Sequence, residues 1–389
     1  MEPLFLGEAS RHRTALSDLA LELTAQSTRL RSELPDSIAA ALATLVRAMN
    51  CYYSNLIEGH DTHPVDIERA LANDFSAEPE QRNLQLEARA HIAVQTWIDE
   101  GGLAVGRATT EQGVCEIHRR FCEHLPPALL VVEDMKTGEA LEMVPGAYRT
   151  RDVQVGQHMA VSAGAVPRFM KRFEQAYRTP GRLDRIFSAA AAHHRLLWIH
   201  PFLDGNGRVA RLMSHALLLD SLDTGGLWSV ARGLARAEGT YKQHLQACDL
   251  QRRNDLDGRG NLSEEALAEF TRFFLETCID QVSFMRRLME PDRLRDRILL
   301  WAEEEARGGR IPGKSRELLG ALLYRGEVPR GEVADIVVAS PRTARRVVSE
   351  LLDRGVLQSV SARAPVQLRF PAELAGRWMP GLFPERERK

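Results

Sequence analysis

Apolar residues recur at helical spacing through most of the chain, and proline and glycine are sparse inside the long segments. Ile38, Ala41, Leu42, Leu45, Ala48 and Met49 mark one side of a helix over Ser37–Leu56. Pro64 lies past its end and opens a second helix near Val65–Asn73. The same periodicity predicts helices over Gln85–Glu100, Glu111–His124, Pro167–Tyr177, Arg185–Trp198, Val209–Leu222 and Ser263–Met289. Only Val144–Val155 breaks the rhythm. It holds PGAYR and then the alternation Val153, Val155, which predicts a short β-hairpin. After a Gly- and Arg-rich linker at Arg307–Gly313 come three short helical runs, Ser315–Tyr324, Gly331–Val338 and Pro341–Arg354. A turn at Gly355 and a β-like stretch, Val356–Phe370, follow. That order is the outline of a winged helix, a helix-turn-helix with strands behind it. The fold class is therefore mainly α, a helical body with one small hairpin and a winged-helix module after it.

Composition narrows the setting. The chain has 389 residues, 44% hydrophobic and 27% charged, as in ordinary soluble domains. Only Glu385 to Lys389 read as disordered. The five cysteines are scattered and odd in number, which fits a reducing compartment better than a disulfide framework. The N-terminus lacks the pattern of a signal peptide, and no apolar run is long enough to span a membrane. A cytoplasmic protein with no membrane partner is expected. From Ile311 to Lys389 there are 14 Lys and Arg against 9 Asp and Glu, a net +5, while the remainder carries 37 against 44, a net −7. A basic tail on an acidic body points to a separate C-terminal module with a polyanionic partner.

The chemistry concentrates in His200–Arg211, HPFLDGNGRVAR. Pro201 ends the preceding helix, so His200 faces a loop. The next helix starts near Gly207. Gly205 and Gly207 let the backbone approach a ligand, and the helix start adds unpaired N–H donors and partial positive charge, so loop and helix form an anion site. Arg208 and Arg211, three apart, share a face, and their forks suit phosphate oxygens. Asp204 beside an anion site makes sense if Mg²⁺ bridges carboxylate and phosphates. His200 is the nearby group suited to deprotonating a hydroxyl near neutral pH. Each feature alone has a common structural explanation, but their ordered combination within twelve residues predicts a phosphoryl- or nucleotidyl-transfer site.

This segment resembles the signature of the Fic family, H-x-F-x-D/E-G-N-G-R-x-x-R, at every fixed position: His200, Phe202, Asp204, Gly205, Asn206, Gly207, Arg208 and Arg211. The resemblance extends over roughly Glu111 to Glu276, through Tyr148–Val155, similar to the family's hairpin flap, to Tyr241 and Leu245. It implies a Fic-type helical bundle in which His200 activates a Ser, Thr or Tyr hydroxyl. Asp204 would hold Mg²⁺, the amides of Gly205, Asn206 and Gly207 the phosphates, and Arg208 and Arg211 the β- and γ-phosphates of ATP. Tyr241 would lie near the adenine and Phe202 would anchor the loop. Family members that transfer phosphate instead resemble a form with alanine and lysine in place of the two glycines, so AMP is the expected group here.

Ser54-Asn-Leu-Ile-Glu58-Gly59 resembles the family's inhibitory helix, S/T-x-x-x-E-G/N. Ser54 and Glu58 share a face, and Glu58 is expected to form a bidentate salt bridge with Arg211 where the γ-phosphate belongs. The implied organisation is an N-terminal region over 1–105 with the inhibitory helix at about 37–59, a catalytic core over 106–290, and a winged-helix part over 291–389.

Secondary features complete the expectations. Tyr148, Arg149, Gln154 and Val155 on the flap are candidates for docking a protein substrate by strand addition. Cys115, His118 and Cys122 share a helix face, with helix packing favoured over zinc. His193 and His194 read as core or supporting groups. Arg342, Thr343, Arg345 and Arg346 open the candidate recognition helix and suit DNA. The principal expectation is an autoinhibited protein adenylyltransferase acting on another protein or on itself. A DNA-binding regulator with a nucleotide-sensing Fic body is the alternative, and removal of AMP and a homodimer stay open.

Overall fold

The computed structural model describes residues 1–133, 138–178 and 181–384. The expected tail Glu385–Lys389 lies outside them. The chain divides into two compact units. Residues 1–27, 50–224 and 229–281 form the first, and 28–49, 225–228 and 282 onward form the second. Residues 50–105 thus belong with the segment that holds the signature, and residues 28–49 with the C-terminal part.

The helices, in chain order, are α1 (Arg13–Ser32), α2 (Asp36–Ile57), α3 (Pro64–Leu71), α4 (Pro79–Asp99), α5 (Glu111–Glu123), α6 (Val166–Tyr177), α7 (Arg182–Ile199), α8 (Asn206–Leu222), α9 (Ala231–Arg236), α10 (Glu238–Asp249), α11 (Glu264–Met289), α12 (Pro291–Arg307), α13 (Ser315–Arg325), α14 (Val333–Ile336), α15 (Pro341–Asp353) and α16 (Ala375–Trp378). The strands are β1 (Val131–Glu133), β2 (Ala140–Glu142), β3 (Gln154–Val155), β4 (His158–Met159), β5 (Glu327–Val328), β6 (Leu357–Gln358) and β7 (Val366–Leu368). Among the described residues no helix is long and apolar enough to cross a membrane.

In the first unit α7 and α8 pack side by side at the centre. Ala189 to Ala192 on α7 are buried, and their small side chains let the neighbouring helix come close. Helix α8 is buried nearly all round, its arginines included, as a helix at the middle of a bundle must be. Phe121, Phe173, Phe202, Phe270 and Phe274 fill the surrounding core.

The hairpin expected over Val144–Val155 is displaced. Pro145 and Gly146 (φ +78) make PGAYR an irregular turn. The antiparallel pair is instead β3 with β4, joined through Gly156 at φ +58, where a two-residue turn needs the left-handed region. A second ribbon pairs β1 with β2. In the second unit β5, β7 and β6 form a three-stranded antiparallel sheet with β7 in the middle. Helices α13 to α15 cover it, burying Leu318, Leu322, Val333, Val347 and Leu351. Trp301 of α12 packs edge-on to Trp378 of α16 at 5.2 Å.

Candidate active site

Helix α7 stops at Ile199, and His200 enters the left-handed region at φ 53, with its amide still bonded to the Leu196 carbonyl at 2.9 Å. The turn ahead of Pro201 therefore aims the His200 side chain away from the helix, onto the wall of a cavity of about 490 Å³. The loop that follows is tied from within. Asn206 Oδ1 accepts from the Phe202 amide at 3.0 Å, and its Nδ2 donates to the Phe202 carbonyl at 2.9 Å. Phe202 is fully buried and stacks on the His118 ring at 3.8 Å between centroids. His118 Nδ1 in turn accepts from the Gly146 amide at 2.9 Å. Gly205, at φ +79, begins α8 and leaves its first amides facing outward. Burial lowers the His200 pKa to about 4, against a hydrogen bond to the Leu197 carbonyl. The imidazole is thus neutral at pH 7 and able to accept a proton.

The end of α2 meets this loop. Gly59, at φ +85, closes a helix stop in which its own amide bonds to the Leu56 carbonyl at 3.0 Å and the His60 amide to the Asn55 carbonyl at 2.9 Å. That stop leaves Glu58 at the helix end, with its Oε1 paired to Arg211. The pairing runs through this one oxygen rather than as the bidentate fork expected. Ser54 supplies the rest: its Oγ accepts from Arg211 Nε at 2.8 Å and its carbonyl from the terminal nitrogen at 3.1 Å. Burial pushes the Glu58 carboxyl up, but Arg211, with Arg208 and His60, outweighs it and the net shift is downward. A Cβ at Gly207 would lie 2.4 Å from Glu58 Oε1. The carboxylate therefore occupies the space beside the start of α8 that the missing side chain leaves, where an anion is favoured.

Arg208 is held differently. It donates to Asp204 Oδ2 at 2.9 Å and to Glu87 Oε2 at 3.1 Å, and it lies over the Phe121 ring at 4.7 Å. Its buried Nε has no partner among the described residues. Asp204 itself is half-exposed. No group of three or more His, Cys, Asp or Glu that could hold a metal occurs among the described residues. One hard carboxylate oxygen beside an anion site fits Mg²⁺ carried in on phosphates, with Asp204 as its protein ligand.

Residues 108–218 match the model of the Fic/DOC family. This chain carries a Fic domain. It is similar to the protein adenylyltransferase Fic of Nematostella vectensis, 29% identical over 171 residues that make up 43% of this chain and 36% of that protein. It is also similar to the protein adenylyltransferase Fic of Drosophila melanogaster, 33% identical over 112 residues, 28% of this chain and 20% of that one. The match thus spans little more than a third of the first relative's length and a fifth of the second's. Two solved structures share the fold. A Fic family protein from Desulfovibrio desulfuricans G20 aligns at TM-score 0.54 and 17% identity over 93% of this chain and 97% of its own. Residues 134–508 of Fic-1 from C. elegans align at 0.51 and 20% identity over 71% and 74%.

Around the Fic motif the other predicted residues separate. Tyr241 lines the cavity, but its hydroxyl lies 2.6 Å from His193 Nε2. Burial raises the Tyr241 pKa to about 12, so it stays a phenol beneath Arg211. Gln154 and Val155 are exposed on β3, as a docking edge requires. Arg149 is not: only 3% exposed, it donates to the carbonyls of His200 and Arg151 at 2.7 Å each, and to those of Val161 and Ile199. It clamps the flap root onto the catalytic loop and has no surface to offer a target. Tyr148, half-buried, donates to Glu111 Oε2 at 3.3 Å. His118 and Cys122 are buried in contact with each other, and His118 serves the Phe202 stack. Arg342, Arg345 and Arg346 are exposed on the first turns of α15, and Thr343 is capped by Ser340. Sequence reasoning missed Glu87, His60 and the role of His118. For Glu87 the signal was a carboxylate on a helix whose neighbours Ala88, Ala90 and His91 are buried.

Proposed function

We propose that this chain is an autoinhibited protein adenylyltransferase, moving AMP from ATP to a hydroxyl of a protein, itself included. One observation carries this: a neutral His200, Gly207 at the start of α8 and Arg211 line one cavity, and the Glu58 carboxylate is paired with Arg211 in it. The target hydroxyl oxygen attacks the α-phosphorus, its proton passes to His200, and the bond to the β-phosphate breaks to release pyrophosphate. The loop amides and arginines balance the developing charge. Mg²⁺, when bound at Asp204, supplies further positive charge to the phosphates. Gly205 and Gly207 favour AMP over phosphate as the group moved. The exposed edge of β3 would take an extended segment of the target.

The test is intact mass after incubation with Mg-ATP. A Glu58 carboxylate one-third exposed on a buried Arg211 makes a pair worth about 2 kcal/mol, intermediate between surface and buried pairs. Glu58→Gly should then raise the rate by about 30-fold, at 1.4 kcal/mol per decade. The product should gain one adenylyl unit, and His200→Ala in the same background should abolish it. A phosphate-sized gain, or equal rates for Glu58→Gly and the parent, would reject the proposal. A second reading concerns the C-terminal part, a winged helix in our view. The exposed Arg342, Arg345 and Arg346 on one helix favour a polyanion such as DNA there.

A further inference from the structure

Arg208 poses a problem that the Fic motif does not solve. Its side chain is 6% exposed, so its charge requires permanent compensation. Asp204, one of its two carboxylate partners, stands half-exposed on the loop and is the group a metal would claim. Glu87 is the other. It projects from α4, its side chain is 11% exposed, and it lies outside the signature. Glu87 Oε2 also lies 2.7 Å from His60 Nδ1. His60 is brought there by the same helix stop that presents Glu58, since its amide closes the turn onto Asn55. One carboxylate oxygen therefore serves both the His60 imidazole and Arg208, 2.7 Å and 3.1 Å away.

We infer that Glu87 is the positioning residue of the Arg208 clamp, and that it shares its charge between Arg208 and His60. Its hydrogen bond gives Arg208, which lies over Phe121, a carboxylate partner that does not depend on Asp204. The groups facing His60 are Glu87 from α4, Arg208 from α8 and Glu58 from its own turn. The hydrogen bond to Glu87 raises the His60 pKa, against burial and Arg208. While His60 is protonated it neutralises part of Glu87, and Arg208 presents more positive charge to a phosphate. As pH rises through the raised pKa the proton is lost, Glu87 returns fully to Arg208, and nucleotide binding weakens. This rests on the nucleotide site proposed above, and the test separates the two.

The experiment uses the full chain carrying Glu58→Gly. Calorimetry gives the Kd for the Mg²⁺ complex of α,β-methylene-ATP from pH 7 to pH 9, and initial rates give kcat and KM for ATP. Glu87→Ala should raise Kd and KM about tenfold, the loss of one charge-assisted hydrogen bond, with kcat within about twofold. Glu87→Gln, which keeps an acceptor for Arg208, should restore Kd to the parent value or tighter and flatten its pH dependence. His60→Asn should flatten the pH dependence alone. A Kd unchanged by Glu87→Ala in a protein that melts normally would overturn the inference, as would Glu87→Gln as defective as Glu87→Ala. If the Glu58→Gly parent binds no nucleotide, the site assignment fails first and takes this inference with it.

Discussion

His91 on α4 is fully buried, and neither ring nitrogen has a hydrogen-bond partner among the described residues. Burial, then the positive charges of Arg211 and Arg208, lowers its pKa to about 3. A folded-state pKa below the unfolded value means that the unfolded chain takes up the proton first as pH falls. The stability is therefore complete above pH 6.5 and is lost progressively down to about pH 3. At pH 5 that loss is about 2 kcal/mol, 1.36 kcal/mol for each of some 1.5 pH units. Four more histidines lie in the same direction through burial: His193 at about 3, and His118, His194 and His200 at about 4. All five therefore weaken the fold in the same direction as pH falls. His60, with its raised pKa, works the other way. The protein should thus lose stability as pH falls below 6.5. His91→Leu isolates one contribution. It should be neutral or stabilising at pH 7, because it removes two unsatisfied buried nitrogens, and its advantage should grow by about 2 kcal/mol by pH 5. Urea unfolding followed by tryptophan fluorescence at each pH measures this. An advantage that stays constant from pH 7 to pH 5 would show that His91 titrates alike in both states and would refute the reasoning.

Two further outcomes concern other groups. Arg149→Ala should cost about 3–5 kcal/mol, because it strips the donors from four carbonyls that hold the flap root to the catalytic loop. Arg149→Lys should rescue little of this, since an ammonium lacks the fork that reaches all four; thermal melting of both variants checks it. In the second unit, reversing Arg342, Arg345 and Arg346 to Glu should abolish any binding of duplex DNA, and the parent's affinity should fall steeply with salt. A parent that shows no gel shift even at low salt would remove DNA as a partner.

The residues that were legible in the sequence are those whose chemistry is local. The twelve-residue motif places His200, the loop amides and both arginines in one helix–loop–helix junction, so their nearness in the chain already predicts their juxtaposition. Ser54 and Glu58 are four apart on a helix whose glycine stop is visible, so their common face was legible too. Helix α1 was not read from the sequence: Leu16, Ala20, Leu23 and Leu30 keep helical spacing and are buried, but its polar composition concealed it. What failed depends on long-range partners. Arg149 and Arg151 are two residues apart in one loop, but the first is buried and the second exposed, and only the carbonyls at His200, Ile199 and Val161 decide between them. Glu87 looks like a solvated helix charge until α8 brings Arg208 against it. The fork expected between Glu58 and Arg211 failed similarly, because Ser54 occupies the guanidinium edge that a second carboxylate oxygen would have used.

Gly207 joins the local and the distant parts of the site. Its missing side chain leaves space at the start of α8 that the proposed phosphate would use, and the Glu58 carboxylate lies in that same space, 2.4 Å from where a Cβ would stand. A site open enough to bind the nucleotide's phosphates is, for the same reason, open to a carboxylate from its own chain. On the proposed reading, inhibition by Glu58 would need no pocket of its own, only a helix end placed by the Gly59 stop and the arginine proposed for the nucleotide.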